Sequence, residues 1–177
     1  MINANNIYKI PLFLYVVIFV VGCQSSPADY KSIARNLNTE MELAFKKGEM
    51  KKLSAIYSDD GYLLSPNRKA THGRVAIDAY WERWHTPLNW TLDVIAVSKN
   101  EQDIYNHDYW TEVGRKPKHW REEGIEIGEA EVFYQLGHSK IEYESDDSVH
   151  KTSDVDFIIV WKKDVGGNYK IWIDTYI

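Results

Sequence analysis

Residues 48–84, GEMKKLSAIYSDDGYLLSPNRKATHGRVAIDAYWERW, decide the fold, because they compress a helix, a turn, an extended segment and a second helix into 37 residues. Tyr57-Ser58-Asp59-Asp60-Gly61 closes the first helical pattern and supplies turn residues, with Gly61 free to take positive φ. Tyr62, Leu63 and Leu64 then predict a short strand, which Ser65-Pro66-Asn67 breaks because proline lacks the N–H that a central ladder needs. Beyond Gly73, the residues Ile77, Tyr80, Trp81 and Trp84 recur at spacings of three and four, the signature of one helical face.

Upstream, Tyr30, Ile33, Ala34, Leu37, Met41, Ala44 and Phe45 trace a long helical stripe that Gly48 stops, with Lys46 and Lys47 well placed in its last turn. Met50, Leu53, Ile56 and Tyr57 predict a short second helix, and Val75 to Trp84 a third that ends before Pro87. Downstream the periodicity changes. Residues 90–97, 130–143, 155–162 and 169–176 read as strands, the last two joined by a hairpin at Gly166-Gly167-Asn168, and 145–153 as a longer loop. Residues of about 99–127 fit neither pattern. A segment this long inside a compact domain is usually functional or disordered, and Tyr105, Tyr109, Trp110 and Trp120 argue against disorder.

The N-terminus is of a different kind. Ile10 to Val21 is an apolar run after Lys9, too short for the roughly 20 residues that cross a bilayer, and it predicts a signal peptide over 1–22. Its closing Val20-Val21-Gly22-Cys23 resembles the lipobox of bacterial lipoproteins, which implies acylation of Cys23, a tether over 23–28, and a membrane lipoprotein on the periplasmic or cell-surface side. Gln24 stands where enteric lipoproteins carry an inner-membrane retention aspartate, so the outer membrane is expected. Cys23 is the sole cysteine, which excludes disulfides and thiol chemistry in the 155 residues that remain. A net charge of −5 argues against a nucleic-acid partner.

Three helices followed by a mainly antiparallel set of strands, carrying GEMKKLSAIYSDDGYLLSP, HGRVAIDAYW, IGEAEVFYQLG and DFIIVWKKDVGGNYKIWID in that order, resemble the SnoaL-like branch of the nuclear-transport-factor-2-like superfamily. The resemblance covers 29–177 and implies an α+β cone, three N-terminal helices against a curved, mainly antiparallel sheet, with a pocket at its open end. It also implies that the segment 99–127 is a candidate lid and that the sheet can support a homodimer. Ketosteroid isomerases share the Tyr-x-Asp-Asp turn, but here Ser65, Met41 and Ile158 stand where that family places its base, its oxyanion-hole tyrosine and its buried acid, so that mechanism is excluded.

Chemistry must then come from later residues. Along 130–138 the even positions Ala130, Val132, Tyr134, Leu136 and His138 are the more apolar set, which predicts that His138 and Tyr134 face the cone interior. There His138 reads either as a general base or as a core histidine bonded to a carbonyl. Trp172, Asp174 and Tyr176 share a face of the last strand and suggest a polar-lined cavity, with Asp174 orienting a histidine or acting as a base. Tyr62, Trp81 and Trp110 are expected as aromatic wall. Arg115, Arg121 and Trp120 form a basic cluster suited to a carboxylate and a sugar ring, unless the segment is simply a solvated loop. No ligand spacing for a metal and no cofactor motif is present, so neither is expected.

Together these residues predict a lipid-anchored lyase, a dehydratase of a carboxylated sugar or uronic-acid end of an oligosaccharide. His138 or Tyr134 removes the α-proton, Arg115 or Arg121 binds the carboxylate, and Asp174 or Tyr176 assists the departing hydroxyl. The alternative is a non-catalytic small-ligand-binding lipoprotein; a polyketide-type cyclase suits the fold but not the surface location.

Overall fold

The computed structural model describes residues 29–65, 70–115, 117, 119, 121 and 124–177. The apolar run and Cys23, Pro66 and Trp120 lie outside them. Asp29 caps α1 (Tyr30–Lys46) by accepting from the Ser32 N–H at 3.1 Å, and α1 turns into α2 (Met50–Ser54) through Gly48. Next come β1 (Tyr57–Leu64), β2 (Thr71–His72) and α3 (Arg74–Glu82). Arg74 ties these together: its guanidinium donates to the Ser54 and Tyr57 carbonyls at 2.6 and 3.1 Å and pairs with Asp78 at 3.0 Å. The third helix thus begins anchored to the end of the second.

The stretch 57–61 differs from its predicted role. It is strand, not a helix-ending turn, and Gly61 does not adopt positive φ. A β-carbon at Gly61 would lie 2.9 Å from the Ser58 carbonyl and 3.1 Å from Ile77, so glycine is there for close approach.

β3 (Pro87–Ser98), β4 (Val132–Glu144), β5 (His150–Lys163) and β6 (Tyr169–Tyr176) complete a six-stranded sheet in the order β2-β1-β6-β5-β4-β3. Only β1 and β6 run parallel. This is the α+β cone with its curved, mainly antiparallel sheet. The strand β5 starts within the predicted loop 145–153, which tightens to a turn at 145–149. At the open edge of β3, α1 imitates a neighbouring strand. Glu42 accepts from the Leu92 N–H at 2.6 Å, and buried Asn38 donates to the Leu92 carbonyl at 3.3 Å. Those are the backbone groups an added strand would use.

Two apolar layers flank the sheet. The concave layer packs Ala34, Met41 and Phe45 of α1, Leu53 of α2, and Ile77 and Trp81 of α3 against Phe133, Ile141, Phe157, Ile159 and Trp161. Described residues of the segment 99–127 form the other layer. Its short helices α4 (Glu101–Tyr105) and α5 (Tyr109–Glu112) bring Ile104 and Trp110, with Ile125, onto Tyr134, Leu136, Ile158 and Val160. These residues cover the outer face of the sheet. Among the described residues no helix is long and apolar enough to cross a membrane.

Candidate functional site

Inside the cone the polar chemistry gathers around Asp174 on β6. This side chain is 2% exposed and accepts a 2.6 Å hydrogen bond from the Tyr57 hydroxyl on β1. Burial pushes its carboxyl up to about 6 against the pull of the neighbouring Tyr57 and Tyr176 hydroxyls. The phenols move the same way. Burial, then the charge of Asp174, raises Tyr57 and Tyr176 well above the ordinary phenol value, so both stay protonated donors. Tyr176 stands beside Asp174 without completing a well-formed hydrogen bond. Its hydroxyl, Asp174 Oδ1 and the indole nitrogens of Trp81 and Trp84 are all buried with no partner. Orphaned groups are costly unless something else satisfies them, and four lie together here, while the Trp172 indole nitrogen is left in the same state on the outer face.

A cavity of about 280 Å³ opens in front of this cluster, lined by Ser65, Tyr80, Arg83, Trp84, Ile141, Tyr143, Ser153, Val155 and Tyr176. A second groove of about 410 Å³ continues outward along the shared walls Arg83, Trp84 and Tyr143. Asp174 lies one layer behind Tyr176 and Tyr80, both of which feel its charge. The cavity exists because α3 presents Tyr80, and the turn that follows the helix presents Trp84, edge-on to Trp81 and Tyr143 respectively.

The outer face carries the other polar cluster. His138 faces away from the cone, correcting the expectation that it points inward. Its Nδ1 lies 2.9 Å from Asp156 and its Nε2 3.0 Å from Asp154. Asp156, buried, also accepts from Tyr109 at 2.5 Å and from Arg115 at 2.9 Å. Burial alone would raise the Asp156 carboxyl, but the Tyr109 and His138 hydrogen bonds and the Arg115 charge outweigh it and hold the group below its ordinary value. Tyr109 is pushed up to about 12 by burial and by that same carboxylate. Nearby, Glu101 pairs with Arg121 at 2.9 Å and with His119, which stacks on Tyr105. Arg115, His119 and Arg121 are therefore engaged by two buried carboxylates, and these pairs tie the insertion to itself and to the sheet.

Of the residues singled out in the sequence, Trp81, Asp174 and Tyr176 meet inside the cone. Tyr134 and His138 lie on the outer face, as do Arg115, Arg121 and Trp110, whose indole donates to the Ile104 carbonyl at 2.8 Å. Tyr62 joins the outer layer and stacks on His72 at 4.0 Å, so it is not pocket wall. Trp172 is an extra residue between the pairs Trp161–Ile171 and Val160–Ile173, and this bulge turns it outward, beneath Lys162 at 4.3 Å. Trp120 lies outside the described residues. Sequence reasoning missed Arg83, Tyr143 and Ser153 as cavity wall, and it missed Tyr57 as the partner of Asp174. The helical spacing from Ile77 through Tyr80 to Trp84 was the one available pointer to that wall. Among the described residues no cluster of histidine, cysteine and carboxylate side chains is arranged to hold a metal.

No family model matches the chain, and no curated protein matches it in sequence. Its backbone is similar to that of solved structures. A ketosteroid isomerase-like protein from Erwinia carotovora atroseptica is 12% identical with a TM-score of 0.56, covering 85% of this chain and 98% of its own. ActVI-ORFA from Streptomyces coelicolor is 11% identical with a TM-score of 0.58, covering 85% and 97%. An NTF-2-like protein of unknown function from Shewanella oneidensis is 12% identical with a TM-score of 0.53, covering 83% and 98%. These likenesses define the class of fold, the nuclear-transport-factor-2-like cone, and a fold by itself assigns no role.

Proposed function

We propose that the chain takes a small polar ligand into the mouth of the cone and acts on it there as a carbon–oxygen lyase of the dehydratase type, on a sugar acid. What carries this reading is the group of buried polar atoms without a partner among the described residues that lies at and behind the cavity wall, the Tyr176 hydroxyl, Asp174 Oδ1 and the Trp81 and Trp84 indoles, with the Asp174 carboxyl held at about 6. The residues proposed for chemistry are therefore Tyr176 and Asp174, in place of His138 and Tyr134.

In the proposed step the oxygen of Tyr176 accepts the proton α to the substrate carboxylate as its own proton passes to ionised Asp174. The C–H pair becomes the new C=C bond, and the C–O pair leaves with the β-hydroxyl. Asp174 returns its proton through Tyr176 to that oxygen, which departs as water. Tyr57 holds the carboxyl in place at 2.6 Å throughout. Val20 to Cys23 supports a lipid anchor at a bacterial membrane, where glycan fragments are a natural substrate.

The second reading, a binding protein without turnover, is favoured by the cavity lining, which among the described residues contains no carboxylate or imidazole. Incubation with uronic-acid oligosaccharides, following the ultraviolet absorbance of a conjugated unsaturated acid, separates the two. Turnover that Tyr176→Phe and Asp174→Asn abolish supports the lyase. A flat trace with substrates that bind leaves the binding reading.

A further inference from the structure

The cavity at the mouth of the cone is lined by Arg83, Ser65 and Ser153, with Trp84 and Tyr176, and among the described residues no aspartate or glutamate lines it. Just behind this wall the Trp84 indole N–H and the Tyr176 hydroxyl are buried without a partner among the described residues. Such a wall is satisfied by a ligand that brings acceptors.

Among the described residues Arg83 is the cation of this wall, and it differs from three other arginines of the chain. Arg74, Arg115 and Arg121 each hold a carboxylate, Asp78, Asp156 and Glu101 respectively. Arg83 has no carboxylate within 4.0 Å among the described residues. Its position is nevertheless fixed. It is the residue that ends α3, and its guanidinium lies 3.9 Å over the centre of the Tyr80 ring. A planar guanidinium docked on the Tyr80 ring, in hydrogen-bond reach of its hydroxyl and set in the wall of the cavity, is organised to take a carboxylate with its remaining N–H groups. Glu144 and Asp146 line the outer groove that shares Arg83, so a second negative group is disfavoured there.

We infer that the ligand of the cone is a small ring compound bearing a single carboxylate, seated on Arg83, with its ring between Tyr80, Trp84 and Tyr143 and its far end toward Tyr176. This inference rests on the reading of the cone as the ligand site and names what that site selects. A cavity of about 280 Å³ accepts one monosaccharide-sized ring and not an extended chain, so an oligosaccharide enters by its terminal acid residue.

The test uses the whole chain and acid–amide pairs that differ only in charge: glucuronate against glucuronamide, and phenylacetate against phenylacetamide. Binding is read by calorimetry and by quenching of indole fluorescence. The wild-type protein binds the acids more tightly than the amides. Arg83→Gln weakens the acids by about 10- to 100-fold and the amides by less than about twofold, and Arg83→Lys recovers part of the loss because a point charge lacks the fork. Arg83 is exposed, and an unchanged thermal unfolding curve verifies that the variant folds.

Equal weakening of acid and amide, amides that bind wild type as tightly as acids, or no saturable binding of either acid overturns the inference. If Arg83→Gln is silent while Trp84→Phe and Tyr176→Phe still alter binding, the anion receptor fails and the cone remains the ligand site. If the acids bind and all three variants are silent, both readings fail.

Discussion

Replacing Asp174 with asparagine tests whether the cone interior is built for function at the expense of stability. A carboxyl held at about 6 in the folded chain, against an ordinary value of 3.8, binds its proton more tightly folded than unfolded. Between those values the folded state carries more protons at this site, so the contribution of Asp174 to stability is fully present below about pH 4 and is lost as pH rises through about 6. Above that window the buried charge costs about 3 kcal/mol. The asparagine side chain never ionises. It keeps an acceptor for Tyr57, and its amide N–H₂ faces the Tyr176 oxygen. The variant should therefore unfold about 6–12 °C higher than wild type at about pH 7.5 for a domain of this size. The gain should shrink to nearly nothing at about pH 4, where wild-type Asp174 is neutral. No other group packed around this carboxyl titrates in that window, since Tyr57, Tyr80 and Tyr176 are all pushed upward. Scanning calorimetry across the range reads both numbers. An asparagine variant less stable than wild type at about pH 7.5, or a difference that does not change with pH, refutes the reasoning.

Three other substitutions probe the frame around the site. Gly137→Ala puts a β-carbon 2.3 Å from the Phe157 ring and 2.5 Å from the Asp93 carbonyl; a rigid ring and backbone cannot yield cheaply, so denaturant unfolding should show a loss of about 1–3 kcal/mol or more. Glu42→Ala uncovers the Leu92 N–H at the edge of β3, which should cost about 1–3 kcal/mol and increase self-association by light scattering; a monodisperse variant of unchanged stability contradicts the strand-mimic role. Arg115→Gln leaves buried Asp156 with Tyr109 and His138 alone and should expose the insertion to limited proteolysis while cone ligands bind as before; weakened ligand binding with an intact insertion would return Arg115 to the site.

The fold was legible because its punctuation is local. Gly48, the spacing from Ile77 to Trp84, Pro87 and the Gly166-Gly167 hairpin each act within a few residues, and the helices and strands they bound are the ones observed. The first strand was only half legible. Tyr57 to Gly61 has turn composition, but tertiary contacts recruit it: Tyr57 pairs with Ile171 of β6 and sends its hydroxyl to Asp174, 117 residues away. Nothing within the stretch announces a partner at that distance.

The site was misread for a reason that lies in β4. Its even residues are the more apolar, and a sheet with one wet face would turn them inward. Here neither face is wet, because the insertion supplies an outer apolar layer, and polarity no longer marks the outside. The acids Glu129 and Glu131, which weighted the odd positions toward solvent, precede the strand, which begins at Val132. The polar residues that remain on the odd face are partners for buried indoles: Gln135 accepts from Trp161 at 2.8 Å, and Ser139 accepts from Trp90 at 2.8 Å. Gly137 leaves room for the Phe157 ring. The tryptophan-rich composition that pointed to a ligand cleft thus has two structural uses, indoles bonded within the core and indoles left without a partner. The second kind includes Trp172 on the outer face, so it is the position of Trp84 in the cavity wall, and not the missing bond alone, that separates it from Trp90 and Trp161, whose indoles are bonded in the core.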